Sequence, residues 1–181
     1  EEHEFVVGYR DDPATYNEFD GELPQGPIIK SLLVAVSRLA QQEPDKFVEF
    51  ARASWDSDLK IIHRLLARGY RVLAPNRPGV VLEYLLGDPR RLEIGDHADG
   101  HRESKALIAA LSSRLTGEEL KPLEDAVVNF KQYKKIMPDW TPQDRFDRTM
   151  WTRAHRLRLL RAFVFERMSE ATRALCDQEE R

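Results

Sequence analysis

Cysteine is nearly absent from this 181-residue chain, in which Cys176 is the only thiol. A lone cysteine cannot form a disulfide within the chain, and the polar residues around Cys176 offer no base that would activate it. Such sparse use of cysteine suits a reducing compartment. We therefore predict a cytoplasmic location.

Long apolar runs are missing as well. A run such as Leu32 to Val36 is far too short to cross a bilayer, which takes about 20 apolar residues in a helix. The acidic start of the chain, at residues 1–4, is unlike the basic leader of a signal peptide. The sequence therefore predicts a protein that makes no use of a membrane.

A basic excess and a catalytic motif are also lacking. Lysine and arginine number 28 against 31 acidic residues, so the net charge of −3 does not favour binding of nucleic acid by the surface as a whole. No Gly-rich phosphate loop, no Gly-x-Ser-x-Gly sequence and no His-Glu-x-x-His pair occurs. We predict no cofactor and assign no catalytic residue.

The chain does contain enough apolar residues for a core, at 41% hydrophobic and 33% charged. Residues 1–26 carry eight acidic side chains against the single base Arg10, and we interpret them as an acidic lead-in segment. Residues 27–181 form the predicted helical domain. Because the chain has no initiator Met and stops in mid-pattern, we expect it to belong to a larger protein.

Apolar residues in this domain recur at steps of three and four, which is the spacing of one helix face. We expect Leu32, Leu33 and Val36 of the first strong helix in the core. The stripe of the longest helix contains Phe146, Met150, Ala154, Leu157 and Leu160. Strand signals are nearly absent, so the sequence predicts an all-α fold.

Local signals place the helix ends. Thr116 with Glu119 has the spacing of a capping box, Thr141-Pro142 is a cap followed by proline, and Ser169 can cap a terminal helix. We expect a third helix, capped by Asp56 or Asp58, to end at Gly69. The stretch from Leu92 to Gly100 is typical of a polar loop.

The predicted helices pair into antiparallel hairpins, stacked as a HEAT-like solenoid or packed as an irregular helical bundle. The run Ser31–Ser37 is similar to Ala106–Ser112, at a separation close to two helical pairs. That similarity favours an array of repeated helical hairpins. We expect the chain to self-associate through its C-terminal end, because Ala171, Leu175 and Cys176 form one apolar side of the last helix.

One cluster, residues 97–103, has ligand-type side chains in quantity. In extended backbone His97, Asp99 and His101 point the same way and could bind one divalent metal ion, completed by Glu103 or water. This pattern suggests a metal-dependent hydrolase. A polar loop between helices naturally collects Asp, Gly and His, and no second, distant set of ligands is evident, so the cluster is more typical of a connection.

The last long helix is rich in arginine, and Arg148 with Arg156 falls away from its apolar stripe. Arginine binds phosphate well, so these two residues are candidates in a nucleic-acid-binding helical domain. Acidic residues are interleaved with them, which is more typical of an ion-paired surface. Trp140 is a candidate anchor for a protein partner, whereas Trp151 is interpreted as a core residue.

Four segments of the C-terminal part carry a family resemblance: Leu123–Phe130, Arg158–Phe163, Glu166–Ser169 and Arg173–Leu175. They resemble C-terminal helical regions of large bacterial multidomain NTPases of the STAND type, some of which are antiviral sensors. The nucleotide-binding motifs of that family are absent from this sequence. The resemblance implies a helical scaffold or sensor segment, with any ATPase activity elsewhere in the parent protein.

The leading hypothesis for function is a non-catalytic helical scaffold or recognition module of a larger bacterial protein. It would present a surface to a protein partner, to a ligand or to the remaining domains of its parent chain, and it could self-associate. The metal-dependent hydrolase and the nucleic-acid-binding domain stay open as alternatives.

Overall fold

The computed structural model describes residues 27–95, 101–131 and 138–179, and they are helical. The α-helices are α1 (Pro27–Gln42), α2 (Pro44–Ala53), α3 (Lys60–Leu73), α4 (Pro78–Leu86), α5 (Arg102–Ser112), α6 (Gly117–Val128), α7 (Pro142–Leu160) and α8 (Glu170–Glu179), with 3₁₀ helices at Pro89–Glu93 and Phe165–Arg167. No strand occurs in these three ranges, so the predicted all-α class is confirmed. None of the described helices is long and apolar enough to cross a membrane.

Helix starts follow the local signals. Both Thr116 and Thr141 form complete capping boxes, in which the threonine hydroxyl accepts the N–H of Glu119 and of Asp144 respectively. The hydroxyl of Ser169 accepts the N–H of Thr172 at 3.3 Å and caps α8. These interactions satisfy N–H groups that have no partner within a helix, so the three predicted caps are confirmed.

The predicted limits of the third helix are wrong at both ends. Its N-cap is Leu59, which makes no side-chain capping bond, so neither Asp56 nor Asp58 caps it. The helix also continues through Gly69 to Leu73. Glycine ends a helix when it adopts a left-handed conformation, but here Gly69 keeps the helical path and lets another helix approach closely.

The stretch predicted as a polar loop begins instead inside the core. Residues up to Glu93 form a 3₁₀ helix, and Leu92 and Ile94 are only 2% and 0% exposed. Gly95 follows with a φ of +123°, a conformation that favours glycine. Residues 96–100 lie outside the described ranges.

Neighbouring helices pack in a regular order. Helix α1 packs on α2 and on α3, α3 packs on α5, and α5 packs on α7. On the other side α4 packs on α6, and α6 and α8 both contact α7. A stacked solenoid stays a prediction.

The buried face of α1 is rotated from the predicted one. Val36 is buried as expected, and Ile29 and Ala40 share its face. Leu33 is half-buried, whereas Leu32 is 41% exposed, so its predicted place in the core is wrong. Contact with both α2 and α3 selects this face, which the apolar spacing of α1 alone does not specify.

A cluster of aromatic rings and one arginine fills the space between α3 and α4. The rings of Tyr70 and Tyr84 stack with centroids 4.3 Å apart, and the Trp55 indole N–H donates to the Tyr70 hydroxyl at 2.9 Å. Arg91, only 3% exposed, lies 4.5 Å from the Tyr84 ring centroid and donates to the Tyr84 and Trp55 carbonyls. Carbonyl oxygens and ring faces thus stabilise this buried charge.

His63 joins the same cluster in its neutral form. Its Nε2 lies 2.8 Å from the carbonyl oxygen of Ser57, which can only accept, so Nε2 carries the proton. Its Nδ1 therefore has no proton and accepts a hydrogen bond from the Tyr84 hydroxyl at 2.9 Å. Burial is the main cause that lowers the pKa of His63 to about 4.

This histidine should make stability depend on pH. Below the ordinary histidine pKa of 6.5 the unfolded chain binds a proton that folded His63 does not bind until about pH 4. The stabilisation is therefore complete above pH 6.5 and falls by about 2 kcal/mol as the pH drops to about 4.5. Urea unfolding at both pH values measures it. His63→Gln should lose this part of the pH dependence, and equal pH dependence in both proteins would contradict the assignment.

Candidate interaction surface

Helix α7 begins at a strong local start signal. Thr141 is the N-cap, Pro142 occupies the first turn, and the Asp144 carboxylate accepts the Thr141 backbone N–H at 2.9 Å and hydroxyl at 2.7 Å. These hydrogen bonds lower the pKa of Asp144. The reciprocal cap fixes where the helix starts.

The buried side chains of α7 all lie in its second half. Thr152, His155, Leu159 and Leu160 are the buried residues of this helix. The His155 ring lies 4.9 Å from that of Phe130 and 4.5 Å from that of His101. The C-terminal turns are therefore held by α5, α6 and α8.

The first half of α7 exposes large apolar side chains. From Pro142 to Trp151 no residue is buried, and only Arg148 is even half-buried. Phe146 is 59% exposed, Met150 41% and Trp151 60%. The predicted core stripe of this helix is therefore wrong for Phe146, Met150 and Ala154, which are exposed, and Trp151 is not a core residue. We call Phe146, Met150, Trp151 and Ala154 the α7 apolar face.

Two of the predicted binding residues contact each other at the start of α7. The guanidinium carbon of Arg148 lies 4.2 Å from the ring centroid of Trp140, a cation–π contact, and both side chains are half-buried. The pair fixes Trp140 alongside the first turns of α7.

The third predicted binding residue, Arg156, is engaged inside the protein. It donates to the Val128 carbonyl at 3.2 Å and, together with Arg153, to the Glu179 carboxylate. Burial alone would raise the pKa of Glu179, but the two arginines together lower it. Arg156 therefore ties α7 to α6 and α8.

The predicted metal ligands are placed only in part. His97 and Asp99 lie outside the described residues. His101 is buried with a φ of 58°, and its Nδ1 lies 2.9 Å from the Glu93 carbonyl oxygen, so Nδ1 donates that bond. Within the described ranges no three His, Cys, Asp or Glu side chains converge as a metal site. The metal site stays a prediction.

Comparison with protein-family models, with curated proteins and with solved structures finds no match for this chain. No family is assigned. The α7 apolar face, with two large aromatic side chains and a methionine exposed, departs from an ordinary helical surface.

Proposed function

We propose that this chain is a non-catalytic helical interaction module that pairs with a second copy of itself through the α7 apolar face. The observation that carries the proposal is the exposure of Phe146, Met150 and Trp151 on the first half of one helix. Aromatic residues and methionine are enriched in protein interfaces. Their exposure here leaves apolar surface that a second helix can cover.

Helix stability supports this proposal. A helical segment shorter than about 12–15 residues is marginal in water unless an apolar face is packed. Residues 142–151 contribute no buried side chain, so the cap at Thr141 and the continuous helix that follows support a segment whose apolar side chains are exposed. Covering the face would stabilise the segment by roughly 25 cal/mol per Å² of apolar surface.

The sequence of α7 is complementary to itself in an antiparallel pair. Met150 and Ala154 lie on one face of α7. If the two-fold axis of the pair passes between them, Met150 of one copy packs against Ala154 of the other, so a large side chain meets a small one. Asp147 and Arg158, about three turns apart, lie on the same flank. A two-fold axis brings that flank of each copy together, so Asp147 meets Arg158 of the second copy.

Sedimentation velocity over a concentration series tests the pairing. We expect a monomer–dimer equilibrium, abolished by Met150→Glu because the interface would then bury two carboxylates without partners. Ile28→Glu is the matched control, since Ile28 is 73% exposed on α1 and outside the face. A monomer at every concentration, or a dimer that Met150→Glu leaves intact, would overturn the proposal.

Charge reversal tests the antiparallel register. Asp147→Arg should weaken the dimer by at least about tenfold, because it sets like charges against each other twice. Adding Arg158→Asp restores the opposite charges with the roles exchanged, so the double variant should regain most of the affinity. Failure of this rescue would exclude the register.

A further inference from the structure

A cavity of about 380 Å³, which we call the arginine cavity, lies where α1, α3 and α5 meet. Arg64, Arg68 and Arg71 of α3 and Arg102 of α5 line it. The three α3 residues are spaced by four and three positions, so they share one helix face. Leu33 of α1 covers part of the wall.

Arginines outnumber acidic residues in the described lining of the arginine cavity. Four arginines line it, and Glu103 is the only acidic residue among the described lining residues. Neither α1 nor α3 contains an acidic residue, and Glu103 is the only one in α5. Like charges at such spacings on a helix are destabilising. The proximity of Arg68 to Arg71 on α3 is therefore unfavourable in itself.

Glu103 contacts two of the arginines in the inner part of the cavity. Its Oε1 lies 3.7 Å from Nε of the buried Arg64 and 3.2 Å from a terminal nitrogen of Arg102. Its Oε2 packs against Gly95, where an added Cβ would come within 2.7 Å of that oxygen. The carboxylate is thus fixed between two guanidinium groups and orients them.

Arg68 and Arg71 at the rim are exposed and make no hydrogen bond or ion pair with any residue in the described ranges. Burial is the main cause that lowers the pKa of Arg71, and repulsion from Arg68 and Arg102 adds to it. An anion between these groups would relieve that repulsion.

We propose that the arginine cavity binds the phosphate group of a small phosphate ester. Guanidinium groups form paired, charge-assisted hydrogen bonds to phosphate oxygens, and several arginines that converge match a dianion. The volume is in the range of small-molecule sites, and Leu33, Ala67 and Ala106 provide an apolar wall for the carbon part of the ester. None of the described residues that line the cavity is aromatic and could stack a base, which favours a small ester over a nucleic acid.

Isothermal titration calorimetry on the full chain tests the site with three probes: inorganic phosphate, inorganic pyrophosphate and glycerol 3-phosphate. We expect saturable binding of one ligand per chain, with glycerol 3-phosphate tighter than inorganic phosphate because of the apolar wall. The double variant Arg68→Gln, Arg71→Gln should weaken binding by about tenfold or more. Both side chains are exposed, so the fold should be retained.

The matched control is Arg38→Gln with Arg114→Gln, which removes two exposed arginines outside the cavity and changes the net charge equally. This variant should bind within about twofold of the natural chain, because screened charges at a distance contribute little. An equal loss in both double variants, or no saturable binding of any probe, would overturn the proposal. Tight binding of single-stranded DNA without binding of the small probes would overturn it in favour of nucleic acid.

Discussion

Replacing Gly69 with alanine is expected to lower the free energy of unfolding by about 3 kcal/mol. A Cβ at this position would lie 2.2 Å from Cε2 and 2.4 Å from Cζ of Phe47, and 2.9 Å from Cγ1 of Val36. In an exposed helix the same change is stabilising by about 1 kcal/mol, because alanine is the better helix former. Here overpacking outweighs that gain.

The Phe47 ring has little freedom to move away. It is fully buried and packs edge-on against the ring of Tyr70, with centroids 5.0 Å apart. Tyr70 in turn stacks on Tyr84. The added methyl group would therefore have to separate α2 from α3, which exposes apolar surface in the centre of the core.

Urea unfolding of matched variants measures the effect. Gly79→Ala is the control, because no atom lies within 4 Å of the added Cβ in the first turn of α4. It should leave stability unchanged or raise it slightly. Phe47→Leu should cost less in the Gly69→Ala background than alone, since the smaller side chain relieves the clash. Equal tolerance of alanine at both glycines would contradict this packing.

Features that depend only on residues close together in the sequence could be predicted. The capping boxes at Thr116 and Thr141 need only a hydroxyl and an acid three positions later. Gly69 was misassigned for the opposite reason. Glycine after an apolar run is a local sign of a helix end, whereas its role here depends on Phe47 of another helix.

The faces of α1 and α7 show the same limit. Spacing identifies an amphipathic helix, but a stripe with apolar residues on two adjacent faces does not tell which one is covered. In α7 the covered face includes Thr152 and His155, which are polar, and the stripe from Phe146 to Ala154 is exposed. Tertiary contacts with α5, α6 and α8 determine which face of α7 is covered.

The arginine cavity could be predicted in part. Arg64, Arg68 and Arg71 share a helix face in a segment without an acidic residue, and this imbalance is visible in the sequence. The balanced charge of the whole chain conceals it. Arg102 and Leu33 join the cavity only because α1 and α5 both pack on α3.

Glu124 is a further residue whose role no local pattern shows, although its side chain is 0% exposed in α6. One carboxylate oxygen accepts the Ser169 backbone N–H at 3.0 Å. The other accepts the hydroxyls of Ser169 and Thr172, both at 2.7 Å. A negative charge at the start of α8 is also favoured by the helix dipole, so Glu124 both caps α8 and docks it on α6.

Replacing Glu124 with alanine is therefore expected to lower the free energy of unfolding by about 3 kcal/mol, because three donors lose a charged acceptor. Glu124→Gln keeps the shape but replaces one oxygen with a donor, so it should lose an intermediate amount. Asp125→Ala is the adjacent control: Asp125 pairs with Lys121 on the surface and should contribute less than about 1 kcal/mol.

The helix that loses protection from hydrogen exchange shows whether Glu124 docks α8 or stabilises the core as a whole. Helix α8 has only 10 residues, too few to be stable alone, and Cys176 and Thr172 are its buried residues. Without Glu124 its backbone amides should exchange with solvent by local opening, while those of α3 and α4 stay protected. Hydrogen exchange measures both sets. Unchanged protection in α8 of the Glu124→Ala protein would mean that Cys176 and the Glu179 ion pairs hold the helix, and Glu124 would then be only a buried cap.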